Sequence, residues 1–223
     1  MKDRLSSTDY QNQDGIKVDT SNPFVRQIDS LYLGNYEEQE ITLIKRYLPG
    51  DISVIELGSG IGYTSCYINQ KLDPNTKHVT IEANPDLIPL IERHRSLNNA
   101  TFDIQNAAYV PNEDTTTFAS GDHFLTGNTH SRGVEVTEVA GISLDEICQT
   151  EGIESFFLVA DIEGAEIELI EQEAELLRER CRGIIVEFHP DIDSPTAARK
   201  KLNELRFRQI TSIDDVEVYR RED

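Results

Sequence analysis

The sequence contains no run of about 18 apolar residues, the length a membrane-spanning helix needs. Its first residues, Met1-Lys-Asp-Arg-Leu-Ser-Ser, lack the apolar core of a signal peptide. These absences exclude a membrane-spanning reading and predict a soluble, cytoplasmic protein. Cysteine is scarce as well. Cys66, Cys148 and Cys181 are an odd number at unrelated spacings within apolar patterns, which predicts buried thiols and excludes a disulfide framework or a metal set. Basic residues are outnumbered, 21 against 41 acidic, for a net charge of −20. Such a surface repels nucleic-acid phosphates and anionic membranes, so neither nucleic acid nor membrane insertion is expected. Lysine is scarcer than arginine, and an acidic, lysine-poor surface is a device for solubility in high salt. The hypothesis is a host with a salty cytoplasm; a melting temperature that stays flat or falls between low and molar KCl removes it.

What is present is organised around Val54-Ile-Glu-Leu-Gly-Ser-Gly-Ile-Gly62. An apolar run, Ile52 to Leu57, ends in three glycines at alternate positions, Gly58, Gly60 and Gly62, and then enters a segment of helical character. A buried strand turning sharply into a helix explains that order. Glycine leaves the main chain open to a ligand, and the helix that follows points its unpaired N–H groups at the turn, so a nucleotide-like cofactor fits there. The dinucleotide fingerprint G-x-G-x-x-G would need its third glycine at position 63, which is Tyr63. A nicotinamide-dependent oxidoreductase is therefore the second choice, beside a catalytically inactive cofactor-binding domain. The next strand, Lys77 to Glu82, ends 20 residues after Gly62 in Glu82, where such folds hold a carboxylate for two ribose hydroxyls.

A chain of 223 residues buries roughly 70% of its unfolded surface in one core, so a single domain over 36–223 with an N-terminal extension over 1–35 is expected. Met1 to Thr20 is polar and predicts a mobile tail, whereas 22–33 regains apolar residues and should pack against the domain or over its cleft. A helix over Glu37 to Leu48 leads into the first strand. After the glycine turn come helices at Tyr63 to Leu72 and Pro85 to Leu97, the latter with Asn84 as cap. A third strand spans Thr101 to Val110. An antiparallel excursion over about 111–142 departs from the βα alternation, and Ser143 with Glu146 forms a capping-box signature. A fourth strand, Ser155 to Asp161, an acidic helix, Ala165 to Cys181, and a fifth strand, Gly183 to Glu187, follow. A helix over Ala197 to Leu205 and a closing antiparallel hairpin complete the chain.

The glycine turn, with Glu56 two residues ahead, resembles motif I of Rossmann-like class I methyltransferases that use S-adenosylmethionine. Further along, Leu158-Val-Ala-Asp161-Ile-Glu163-Gly164-Ala165-Glu166, preceded by Ser143-Leu-Asp145 and followed by Glu187-Phe-His189, resembles the FkbM family of methyltransferases. The resemblance spans roughly 36 to 189 and includes the Glu-Ala-Asn-Pro turn at 82–85. It departs from the family pattern at Gly58-Ser-Gly-Ile-Gly62, where a G-A-N-x-G turn is common, and at Val159, where the family has lysine. It implies an O-methyltransferase with S-adenosyl-L-methionine as cofactor, acting on a saccharide, glycan or glycolipid-type acceptor.

In an open parallel sheet the site lies at the carboxyl ends of the strands. Glu56, Gly58, Ser59, Gly60 and Gly62 follow strand one, Glu82 ends strand two, and Asn106 with Ala107 closes strand three; these form the candidate cofactor set. Asp161, Glu163 and His189 at the ends of strands four and five form the candidate catalytic set. Methyl transfer to a hydroxyl requires loss of its proton as the bond forms. Asp161 is the first choice as that base or as an anchor for the cofactor's amino group, with Glu163 and His189 as further proton acceptors. A uronate carboxylate acceptor would need no strong base and would give an ester. No metal is expected, since His123 and His130 lie seven apart in a loop without ligand spacing. The loop 121–133, with Phe124, Asn128 and Arg132, is expected either to cover the acceptor or to make an oligomer contact.

Overall fold

The polar stretch near the N-terminus is pinned to the domain rather than left as a tail. The computed structural model describes residues 9–23, 25–120, 135–190, 192 and 194–222. Within them β1 (Asp9–Gln11) and β2 (Lys17–Asp19) form an antiparallel hairpin in which Val18 and Ile16 are buried. Its backbone finds side-chain partners: Asn98 accepts from Lys17 N and donates to Lys17 O, both at 2.8 Å. Buried His94 donates Nδ1–H to Ile61 O at 2.7 Å and accepts at Nε2 from Asp19 N at 3.0 Å. Burial pushes the His94 pKa down to about 4, so its neutral form holds both bonds. The expectation of a mobile tail missed these tertiary partners; residues 1–8 lie outside the described range.

From there α1 (Asp29–Leu33) and α2 (Glu38–Tyr47) lead into β3 (Ser53–Leu57), α3 (Tyr63–Lys71), β4 (His78–Glu82), α4 (Ile88–Leu97) and β5 (Asp103–Asn106). The predicted helix start at Pro85 is corrected. Asn84 Oδ1 caps a turn by accepting from Asp86 N at 3.0 Å, and the helix begins three residues later. The third strand also divides. β5 stays in the main sheet, whereas β6 (Ala108–Tyr109) joins β7 (Thr115–Ser120) and β8 (Glu135–Ile142) in a separate three-stranded sheet. This is the excursion read from the sequence.

Ser143 then caps α5 (Leu144–Glu151) with the reciprocal Ser143–Glu146 bonds. β9 (Phe156–Ala160) is followed by α6 (Glu166–Gln172) and α7 (Ala174–Arg180), a predicted single helix broken at Glu173. The Glu173 carboxylate is turned to Leu144 N at 3.0 Å. β10 (Cys181–Glu187), α8 (Thr196–Glu204), β11 (Phe207–Ile213) and β12 (Val216–Arg221) complete the order.

The main sheet runs β11-β12-β10-β9-β3-β4-β5 and is parallel except where β12 pairs antiparallel with β10 and β11. One face, with Ile55, Leu57, Ile81, Leu158 and Ile184, packs under α5 through α8. The other, with Val54, Phe157, Val159 and Ile185, packs under α2 and α3. Both faces being covered explains why the central strands read as unbroken apolar runs. Cys66, Cys148 and Cys181 are buried and free, and among the described residues no helix is long and apolar enough to cross a membrane. Strand order reverses beside β3, between β4 and β9, and crevices for ligands open at such switch points.

Candidate active site

A cavity of about 320 Å3 opens at the carboxyl ends of β3, β4 and β9, within the range of small-molecule sites. The turn after β3 forms one part of it. Gly58 has φ +83°, and a Cβ there would meet Asp161 O at 1.7 Å, so two strand ends approach closely only because the position is glycine. Ser59 Oγ is buried without a hydrogen-bond partner in this wall. Glu82, 7% exposed, accepts from Gly60 N and from Asn84 N, each at 2.8 Å. Burial raises its pKa to about 7 against the pull of those N–H groups. Apolar side chains from Leu57, Ile81, Leu87, Ala107, Ala108 and Phe118 supply the remaining surface here.

A second part is acidic. Tyr36, Glu37 and Glu40 come from the start of α2, and Asp161 and Glu163 from the loop after β9. Glu40 is 5% exposed and accepts from Thr64 Oγ1 at 3.1 Å. Burial, together with the Glu37, Glu56 and Glu187 charges, raises its pKa well above the ordinary range. Asp161 is likewise raised well above that range by burial and by Glu40, Glu187 and Glu37, with His189 opposing. Glu37 is raised to about 7, first by burial and then by Glu187. Glu37 and Glu163 each hold φ +51°, the left-handed region that costs a non-glycine residue about 1–2 kcal/mol. Strain of this kind collects at functional sites.

His189 stands behind the two loop acids. Its Nε2 lies 3.5 Å from Asp161 Oδ1 and 3.6 Å from Glu163 Oε2, and its Nδ1 lies 3.1 Å from Glu166 Oε1. Burial opposes its charge, yet Glu166, Asp161 and Glu163 raise its pKa to about 9, so it is an imidazolium at neutral pH. Oxygens and ring nitrogens of Asp161, Glu166 and His189, and separately of Glu37, Asp161 and Glu187, lie within 4.8 Å of one another. In the first group Glu166 and His189 are already engaged with each other and with backbone N–H groups, which makes it a hydrogen-bonded network. The second is a crowd of carboxylates that favours retained protons.

Of the sequence-predicted residues, Gly58, Ser59, Gly60, Glu82, Ala107, Asp161 and Glu163 line the cavity. Glu56 does not. It is 1% exposed inside the helix-covered face, accepting from Ser65 Oγ at 2.6 Å and lying 3.1 Å from His78 Nε2. Gly62 begins α3 and packs against Ile91, and exposed Asn106 donates from its side chain to Glu82 O at 2.8 Å, bracing the strand end from outside. Val159, in the place of the family lysine, is buried with Ile68 and Ile185 away from the cavity. The loop 121–133 lies outside the described residues. Sequence reasoning passed over Tyr36, Glu37, Glu40 and Glu166. A signal existed for two of them: Glu40 heads the stripe Glu40, Leu43, Ile44, and Glu166 heads Glu166, Leu169, Ile170, both at apolar helical spacing and all buried.

Comparison with known proteins gives a family and a fold. A family model described as the methyltransferase FkbM domain matches residues 56–209. A search of curated proteins found no match. Among solved structures, a precorrin-6y C5,15-methyltransferase from Geobacter metallireducens superposes with TM-score 0.50 at 15% identity, over 82% of this chain and 87% of its own. An uncharacterized protein from Listeria monocytogenes serotype 4b superposes with TM-score 0.51 at 11% identity, over 82% of this chain and 67% of its own. At such identities the likeness is one of fold, the open Rossmann-like α/β sheet.

Proposed function

The chain belongs to the FkbM family of S-adenosylmethionine-dependent methyltransferases, and from that premise we propose that it transfers a methyl group to a hydroxyl oxygen of a saccharide or saccharide-lipid acceptor. One observation carries the cofactor side of the reading. Five carboxylates line the cavity, those of Glu37, Glu40, Glu82, Asp161 and Glu163, and among the described residues no Lys, Arg or His does. That lining suits a sulfonium and an ammonium and repels the pyrophosphate of a nicotinamide dinucleotide. Glu82 and the Gly58–Gly60 backbone would hold the ribose end, and the acidic wall the positively charged end. When bound, the cofactor supplies an electrophilic methyl carbon, and its sulfur leaves as a neutral thioether.

The remaining chemistry belongs to the chain. Asp161 faces the cavity, and burial together with Glu40, Glu187 and Glu37 raises its hold on a proton, which suits a general base. It would take the acceptor's hydroxyl proton during transfer and later return that proton to solvent. His189, 3.5 Å from Asp161, offsets the crowding of Glu40, Glu187 and Glu37 and favours the ionised carboxylate. The acidic wall also favours hydroxyl over uronate acceptors, since a carboxylate would meet Glu37, Glu40 and Glu163.

The test is incubation with methyl-labelled S-adenosylmethionine and separated glycolipid, polysaccharide, protein and nucleic-acid fractions. Label entering a saccharide fraction as a base-stable ether is expected. Label confined to protein or nucleic acid, or released by mild base as from an ester, contradicts the proposal.

A further inference from the structure

The residue that organises the acidic side of the cavity is one that does not touch it. Glu166, in the first turn of α6, is 1% exposed and absent from the cavity lining. Its Oε1 accepts from Ile162 N at 2.9 Å and from Gly164 N at 3.2 Å, and its Oε2 accepts from Gly164 N at 3.1 Å. Those bonds close the Asp161–Ala165 loop over the side chain. They also support Glu163 at its positive φ with Asp161 on the cavity side. The same Oε1 receives Nδ1–H of His189 at 3.1 Å. With Nδ1 committed, Nε2 is the nitrogen that faces Asp161 and Glu163.

A carboxylate on the far side of an imidazole fixes the ring's orientation and strengthens its hold on a proton, as partners behind metal-bound and catalytic histidines do. Here the ring meets Glu166 from α6 and Asp161 and Glu163 from the loop. Glu187 lies on its own strand, with Asp215 acting on Glu187 from the β11–β12 turn. Glu166 is the group bonded to it through Nδ1 while making three bonds of its own to backbone N–H groups.

We infer that Glu166 is a positioning residue for methyl transfer: through Nδ1 it fixes the His189 ring with Nε2 beside Asp161 and Glu163, the acids that face the acceptor. This rests on the proposed role of Asp161, but its first test does not. The ring proton signals of the five histidines of the full-length apo protein are titrated by NMR, with His189→Gln assigning its resonance. His189 should retain its proton well past the ordinary histidine range, with the Nδ1–H bond visible in its nitrogen shifts. In Glu166→Gln, which can still accept from the loop N–H groups, its proton affinity should fall about tenfold or more, one pKa unit. Under methyl-transfer assay the same variant should show a narrowed pH profile. The basic limb falls because His189 loses its proton earlier, while the acid limb, where His189 is still charged, stays in place.

A purely structural Glu166 would lower the amplitude and leave both limbs in place, which overturns the inference. So does a wild-type His189 titrating at its ordinary value, a result that requires no variant to fold. Absence of cofactor binding would remove the proposed function while leaving the His189 titration to stand or fall by itself.

Discussion

Two carboxylate–histidine pairs belong to the same sheet, one within its strands and one just beyond their ends, and they differ in what surrounds them. Glu56 and His78, 3.1 Å apart, are 1% and 2% exposed, share the carboxylate with Ser65 Oγ and do not line the cavity at the strand ends. Glu166 and His189, also 3.1 Å apart, have the same chemistry, but the far nitrogen of His189 faces two acids on the cavity wall. A pair sealed in a core mainly adds or withholds stability and reaches the cavity only through its field, as Glu56 does at Glu40. A pair with one end at a cavity passes its charge to whatever binds there. Residue type therefore does not separate a structural pair from a working one; the open end does.

The largest effect that sharpens this contrast is Asp161→Asn, at the open end of the second pair. Methyl transfer should fall by about 10²–10⁴-fold, the contribution of a positioned general base. Activity within a few-fold of wild type would take Asp161 out of the chemistry and leave the second pair as inert as the first. Gly58→Ala comes next, because it pushes a methyl group against the backbone that carries Asp161. At φ +83° the conformation alone costs about 1–2 kcal/mol before the clash with Asp161 O is added. Loss of both melting temperature and cofactor binding is expected, whereas a variant that binds normally would mean the two strand ends can separate freely.

Glu56→Gln probes the sealed pair. It disturbs the bonds to Ser65 and His78 and should lower unfolding stability by about 1–3 kcal/mol in a denaturant melt while moving the pH–rate profile less than Glu166→Gln does. A profile moved as far as in Glu166→Gln would show that the sealed pair is coupled to the site as closely as the open one. The smallest effect is Glu37→Gln. Burial and the Glu187 charge raise the Glu37 pKa from 4.5 to about 7, so between those values the folded chain binds its proton more tightly than the unfolded chain. Stability is therefore lost as pH rises through that window, and the variant escapes the loss. It should melt on the order of 2–4 °C above wild type at pH 8, with the difference closing toward pH 4.5. A variant less stable at pH 8 would mean that Glu37 is held there by an attraction instead.

The fold was largely legible because its signals are local. The run Ile52–Leu57 and the glycines after it, the Ser143–Glu146 box, and apolar strands at β9 and β10 each appear where pattern placed them. Departures arise where a distant partner decides. Asn98 and His94 make a hairpin of a polar segment, and Glu173 breaks a helix by bonding Leu144 N. The turn, Glu82, Asp161 and Glu163, which motif spacing pointed to, line the cavity, since these lie at strand ends that an open sheet gathers together. Glu56 stays off the cavity, because alternation along β3 turns residue 56 to the face covered by α2 and α3 while the cavity opens beyond the strand's end. Glu37 and Glu40 went unseen because α2 is brought to the cavity by packing. Glu166 was written into the sequence as an acid on an apolar stripe, a pattern whose meaning depends on His189, 23 residues later.

The claim on which the rest depends is that the glycine turn and Glu82 together grip the adenosyl end of a methyl donor. Calorimetric titration of S-adenosylhomocysteine into the wild-type protein and Glu82→Gln, at one high ionic strength and pH 8, tests it directly. The account predicts binding to wild type and a loss of about tenfold or more in the variant, matching about 1.5–3 kcal/mol for hydrogen bonds to a charged group. Equal affinity in the two proteins, or no heat from wild type, would contradict it.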